Sequence, residues 1–202
     1  MDFWWVFPVN YLLGSFPCGL LIGWLVKGVD IRRVGSGNIG ATNVSRVTGF
    51  APAVIAGVLD ALKGFLAAFL ATHFISHPGW WVLAMIAVVV GHDWSIFLGF
   101  KGGKGVATTL GSLLFVSWPS ALLCLASWIV VAGVSRYASL GSLIGALLMP
   151  IFLLLFDHPF YQVGWGIFAA GLVFWRHEKN IKRLIRGEEL RMGQKKECEQ
   201  NG

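Results

Sequence analysis

Apolar and polar positions come in long blocks along this chain. Apolar runs cover about 3–26, 50–72 and 80–98, and two longer ones cover 105–134 and 140–175. Polar segments at 27–49 and 99–105, a turn at 73–79 and a basic tail from Arg176 lie between and after them. Apolar runs of this length with few charges predict membrane-spanning helices. Pro17 and Gly19 inside the first run predict a kink. Trp118-Pro119 and Asp157-His158-Pro159 interrupt the last two runs. Each of these is therefore one very long helix or a hairpin of two short ones.

The basic residues choose between these options. Lys63 lies inside the second run, and the other fifteen Lys and Arg fall in 27–49, in 99–105, at Arg136 or from Arg176 onward. The turns at 73–79, 115–119 and 157–160 carry none. Cytoplasmic loops collect Lys and Arg, so all basic segments belong on one face. That requires a hairpin in each long run. The expectation is an all-α integral membrane protein of seven transmembrane helices, N-terminus outside and C-terminus cytoplasmic, with short interfacial helices and loops on the cytoplasmic face. The hairpin helices come out at about 14–17 residues, shorter than the usual ~20. Residues 1–190 read as one membrane domain and 191–202 as a polar tail expected to be disordered. Ile181, Leu184 and Ile185, opposite Lys182, Arg183 and Arg186, predict an interfacial helix at the start of the tail.

Composition agrees. Of 202 residues, 56% are hydrophobic and 13% charged, with mean hydropathy +0.70, outside the range of soluble domains. Trp4, Trp5, Trp80, Trp81, Trp94, Trp118 and Trp175 fall near span ends, as interfacial anchors do. The net charge of +6 sits in loops. It is therefore explained by topology and anionic ligands, not by nucleic acid. Cys18, Cys124 and Cys198 are far apart and odd in number, matching neither a disulfide framework nor a metal site. The first residues lack the basic region of a secretory signal, so the first run is expected to be a retained span.

Gly99–Thr109 (GFKGGKGVATT) holds four glycines, two lysines and two threonines. Topology explains its lysines but not its glycines. Glycines let backbone N–H groups approach a phosphate, and lysine adds charge. Gly102, Gly103, Gly105, Lys101, Lys104 and Thr108 thus form a candidate phosphate cradle. A nucleotide-binding P-loop needs glycine at 98 and Ser or Thr at 105, where the chain has Leu98 and Gly105, so no nucleotide is expected. The segment Val34–Arg46 (VGSGNIGATNVSR) contains a formal G-x-G-x-x-G without the strand and βαβ unit that a dinucleotide site needs. Ser36, Gly37, Asn38, Gly40, Thr42 and Asn43 remain as donors, ahead of a short helix from Ala41 whose N-terminus suits an anion. Arg46 offers a fork for phosphate. Arg136, Ser139 and Ser142 in a third segment, and His177, Asn180 and Arg183 on one helical stripe of a fourth, belong to the same face. Asp60 and Lys63 at i, i+3 are ionisable groups inside a span, read as functional support or as a structural ion pair. His92 precedes the Gly-Lys loop. No H-x-x-x-x-D motif or G-x-S-x-G elbow is present, so no covalent nucleophile is evident.

These stretches carry a family resemblance. Gly14-Ser15 with Pro17 and Gly19, Asp30–Arg46, Asp60 with Lys63-Gly64, Gly91-His92, Gly99–Thr108, Arg136-Tyr137 with Ser139 and Ser142, and Arg176-His177 with Asn180, Arg183-Leu184 and Gly187-Glu188-Glu189 occur in order. The chain resembles the bacterial acyl-phosphate:glycerol-3-phosphate acyltransferases, the PlsY family. The resemblance implies an enzyme of the bacterial inner membrane with its site facing the cytoplasm. It implies transfer of a fatty acyl group from acyl phosphate to the 1-hydroxyl of glycerol 3-phosphate, giving lysophosphatidic acid and inorganic phosphate. The histidines are scattered and the acidic residues mostly isolated or in the tail, so no metal is expected, and no cofactor. Ser36, Arg46, Lys104, His177 and Asn180 are then the expected catalytic residues, the other loop residues bind phosphate, and Asp60, Lys63 and His92 support them. The hydroxyl proton goes to His177 or to the substrate's own phosphate. The rival readings are a membrane transporter of phosphate or a phosphate ester, and a structural membrane subunit. A transporter calls for a path of ionisable groups across the bilayer, for which only Asp60 and Lys63 are candidates.

Overall fold

The computed structural model describes residues 3–194, which contain no β-strand. Ten α-helices follow in order: α1 Val6–Ser15, α2 Cys18–Lys27, α3 Ala41–Thr48, α4 Phe50–Phe74, α5 Pro78–Asp93, α6 Val106–Val116, α7 Trp118–Ser135, α8 Ala138–Leu155, α9 Phe160–Arg176 and α10 Glu178–Ile185. Five segments are long and apolar enough to cross a membrane: Val6–Lys27, Phe50–Phe74, Pro78–Leu98, Trp118–Ser135 and Ala138–Leu155. Large apolar side chains such as Leu25, Phe50, Val134 and Phe160 stay exposed on the outside of the bundle, as lipid-facing positions do.

Both long runs fold as hairpins. Ser117 separates α6 from α7, and residues 156–159 separate α8 from α9. The helices are less even than the expected 14–17 residues: α6 has 11, α7 and α8 have 18 each, and α9 has 17. The short α6 is held by close packing on α4. Side-chain atoms added at Gly64 and Gly111 would meet the carbonyls of Thr108 and Ala61, and Ser112 Oγ donates to Gly64 O at 3.0 Å. Small residues that let backbones approach are the usual adhesive between helices in lipid.

The first run breaks rather than kinks. Phe16 is extended (ψ 121°), and Pro17 has no N–H to give the preceding turn. The carbonyls of Gly14 and Phe16 instead accept from Lys63 Nζ at 3.1 and 2.9 Å. Lys63 also pairs with Asp60 at 2.7 Å and touches His92 Nδ1 at 3.3 Å. The three side chains are buried. Asn10 Nδ2 adds a second polar tie, donating to Ala67 O and Ala84 O and so joining α1 to α4 and α5.

At one end of the bundle, Ile31, Ile39 and Val44 pack on Ala53 and Ala56 of α4, anchoring the segment that carries Ser36 and Asn38. The larger core, which includes Met85, Leu113, Met149, Leu153 and Trp165, joins α4 to α9. Residues 191–194 form a turn. The rest of the expected disordered tail, with Cys198, lies outside the described residues.

Candidate active site

One end of the bundle gathers polar groups that are far apart in sequence. α10 supplies the amphipathic stripe read from the sequence. It turns Asn180 inward and leaves Lys182 paired with Glu178 outside. Lys104 Nζ donates to Asn180 Oδ1 at 2.5 Å, and Asn180 Nδ2 donates to Glu189 Oε1 at 2.5 Å. The same carboxylate accepts from Ser139 Oγ at 2.8 Å and from Arg183 Nε at 2.7 Å. Arg46 reaches across from α3 and donates to Leu190 O at 3.1 Å. Three cations, Arg46, Lys104 and Arg183, thus surround one carboxylate, and the surplus positive charge suits an anionic ligand.

The electrostatics follow from this crowding. Burial pushes the Lys104 ammonium down to about 8; Glu189 opposes the fall, while Arg183, Arg46 and Arg176 add to it. Burial also disfavours the charge on Arg46. Burial works against ionisation of Glu189, but hydrogen bonds from Arg183, Asn180 and Ser139 outweigh it and hold the carboxyl below its usual range. His177 is buried just beyond α9. Its Nδ1 lies 2.7 Å from Val173 O, and a carbonyl only accepts, so Nδ1 carries the proton and Nε2 offers a lone pair. Burial and then the neighbouring Lys104 push His177 down to about 4, so it is neutral at physiological pH.

The structure therefore brings together Arg46, Lys104, Ser139, His177 and Asn180. Ser36, Gly37, Asn38 and Gly40 lie in the segment leading into α3, and Thr42 lies in its first turn. Asn43 faces inward there as a staple: its Oδ1 accepts from Ser36 N, and its Nδ2 donates to Ile31 O and Val34 O. Asn38 Oδ1 closes a turn onto Gly40 N. The remaining residues are elsewhere. Thr108 is fully buried in the α4–α6 contact. Ser142 Oγ bonds Ala138 O and accepts from Trp128 Nε1. Lys101 and Arg136 are exposed. Asp60, Lys63 and His92 form the buried network below the loop.

Gly102 and Gly103 have a reason the sequence did not disclose. Their N–H groups donate to Asp93 O at 3.1 Å and His92 O at 2.9 Å. A side chain at Gly102 would strike the His92 and Asp93 backbone, and one at Gly103 would strike the His92 ring. These two glycines let the loop lie flat on the end of α5, and their N–H groups are committed to that contact. Gly105 takes a left-handed φ of 69° immediately before α6, where the first-turn N–H groups have no partner within the helix.

Sequence reasoning missed Glu189 as the hub, along with Arg176 and Asp93. Glu189 stood in the matched Gly187-Glu188-Glu189 end, a pair of acids closing a basic helix, and that was the available signal. Asp93 is fully buried beside the loop, and Arg176 bonds the loop backbone.

Comparison with known proteins agrees over nearly the whole chain. The family model described as Glycerol-3-phosphate acyltransferase matches residues 4–187. A glycerol-3-phosphate acyltransferase of Thermotoga petrophila is 45% identical over 191 residues, 94% of this chain and 96% of that one. One from Paramagnetospirillum magneticum is 46% identical, covering 96% and 95%. A crystal structure of PlsY, an integral membrane glycerol 3-phosphate acyltransferase, in its glycerol 3-phosphate form is similar with a TM-score of 0.89 at 40% identity, covering 95% and 96%. Its lysophosphatidic acid form gives 0.87 at 38% identity, covering 95% of each chain.

Proposed function

Because the chain belongs to the glycerol-3-phosphate acyltransferase family, we propose that it transfers a fatty acyl group from acyl phosphate to the 1-hydroxyl of glycerol 3-phosphate. The products are lysophosphatidic acid and inorganic phosphate, and the reaction opens phospholipid synthesis. The protein crosses the bacterial inner membrane seven times, with the α3, Gly-Lys loop and α10 end in the cytoplasm. The distribution of Lys and Arg supports this orientation.

The observation that carries the reading is the Lys104–Asn180–Glu189 chain, with Arg46, Arg183 and His177 around it. Acyl phosphate is a mixed anhydride with a good leaving group, so the protein's task is to align two phosphates that repel each other. Lys104 and Arg46, both held in place and largely desolvated, neutralise the substrates' phosphates. Ser36 and the neighbouring donors at Asn38 and Thr42 support them, on the turn that the Gly40 N–H closes. The 1-hydroxyl oxygen attacks the acyl carbonyl, the carbon–oxygen bond to phosphate breaks, and phosphate leaves.

His177 Nε2 accepts a hydrogen bond from the hydroxyl and orients it. With its pKa at about 4, its neutral ring is a weaker base than a phosphate monoester dianion, whose second pKa is about 6. The hydroxyl proton therefore passes to a phosphate oxygen, and no covalent enzyme intermediate forms.

The test uses purified protein in detergent. Phosphate release should require both acyl phosphate and glycerol 3-phosphate. Release from acyl phosphate alone at the same rate, or no release together with phosphate-ester flux into liposomes, would overturn the reading.

A further inference from the structure

The end of α9 is fastened to the Gly-Lys loop by one side chain. Arg176 donates from Nη2 to Gly103 O at 2.8 Å and Asp93 O at 3.0 Å, and from Nε to Gly103 O at 3.2 Å. Its guanidinium carbon lies 4.8 Å from the centre of the Trp94 ring, which packs in turn on Trp175 at 5.3 Å. Beneath it, Asp93 is fully buried with neither carboxylate oxygen hydrogen-bonded, and Oδ2 is 3.9 Å from Arg176 Nε. Since the N–H groups of Gly102 and Gly103 go to α5, the loop backbone is gripped from both sides: carbonyls by Arg176, N–H groups by the end of α5. Lys104 follows Gly103 directly, and His177 follows Arg176 directly. A guanidinium reaches several acceptors in one plane while stacking on an indole, which an ammonium does not.

We propose that Arg176 is a positioning residue that sets the separation of Lys104 and His177 for acyl transfer. The proposal rests on the acyltransferase reading above. A displacement of about 1 Å in aligned groups slows reaction about 100-fold, and the fork is what fixes this alignment. It acts on charge as well as place. Arg46 from α3, Asp93 from α5, Arg176 and His177 at the end of α9, and Arg183 and Glu189 from α10 and beyond all face Lys104. Arg176 is one of the cations that disfavour its protonation.

Arg176→Lys and Arg176→Gln, as full chains in detergent, separate the two effects. Arg176→Lys keeps the charge and loses the fork. Its kcat should fall about 10- to 100-fold, with KM for glycerol 3-phosphate within about threefold and the pH profile unmoved. Arg176→Gln should lose a similar factor and also move Lys104 titration to higher pH. The titration is read independently of turnover, from the pH dependence of Lys104 modification by a small amine-directed reagent and peptide mass spectrometry. Wild-type kcat in both variants would overturn the proposal. So would a loss matched by the unfolded fraction, seen by gel filtration and thermal melting, with Lys104 titration unchanged in Arg176→Gln. If the wild type itself transfers no acyl group, the acyltransferase reading fails and this proposal fails with it, whereas failure of the proposal alone leaves wild-type turnover intact.

Discussion

Replacing Glu189 with Gln should change both the pH at which the enzyme works and its stability, by amounts that follow from the geometry. Lys104 Nζ and the Glu189 carboxylate bond opposite ends of the Asn180 amide, each at 2.5 Å. Their charges are then roughly 6 Å apart, and at an effective dielectric constant of about 20 their attraction is about 3 kcal/mol, or up to about two pK units. Wild-type Lys104 already sits at about 8. Without the carboxylate it loses its proton still more readily, so the alkaline limb of kcat/KM should fall by about one to two pH units. The variant also loses the charged acceptor shared by Ser139, Asn180 and Arg183. Gln keeps one acceptor oxygen, so the stability loss should be about 2–4 kcal/mol.

The sign with pH is fixed. Folding lowers the Glu189 pKa below its ordinary 4.5. The wild-type advantage is thus complete above pH 4.5 and disappears as pH falls through the lowered native value. Initial rates from pH 6 to 10 and thermal melts from pH 3 to 7 in detergent provide both readings. An alkaline limb that stays or rises, with unchanged melting at neutral pH, would refute the arrangement.

Further outcomes follow from the same geometry. Lys63→Met leaves Asp60 buried without its partner and should destabilise by about 3–5 kcal/mol; melts of the single variants and Asp60→Asn/Lys63→Met should show the double losing clearly less than the sum, and additive losses would separate the pair. Gly103→Ala drives a methyl group into the His92 ring and should cut kcat/KM at least ~10-fold, whereas Gly133→Ala, facing open space, should leave kcat/KM within about twofold of wild type; equal losses of kcat/KM would contradict the packing. His177→Ala should lower kcat about 100-fold through lost alignment of the hydroxyl, and near-full turnover would remove the hydroxyl-orienting role.

Hydropathy made the apolar segments readable, and the absence of Lys and Arg at 115–119 and 157–160 pointed to breaks that the structure places at Ser117 and 156–159. Those signals are local, written in a dozen consecutive residues. α3 and α10 were readable for the same reason. Glu189 was not, because it joins Ser139 fifty positions away, and no local pattern marks a partner at that distance. The glycines at 102 and 103 were read as phosphate cradles because sequence shows that a backbone is accessible, not what occupies it; here the end of α5 does. Asn43 misled similarly: residue type identified a donor, but only the fold shows that its amide points back into its own loop. The complete break at Phe16-Pro17 depended on Lys63, a residue of another span that takes up the freed carbonyls.

The most direct test of the central claim is product analysis on the purified protein, wild type beside Lys104→Ala. Mass spectrometry would follow 1-acyl-glycerol 3-phosphate, and a phosphate assay the leaving group, with acyl phosphate or acyl-CoA as donor. The account predicts one lysophosphatidic acid per phosphate from acyl phosphate, none from acyl-CoA, and a kcat/KM at least ~100-fold lower in Lys104→Ala. Acyl transfer from acyl-CoA at a comparable rate, or wild-type kcat/KM in Lys104→Ala, would contradict it.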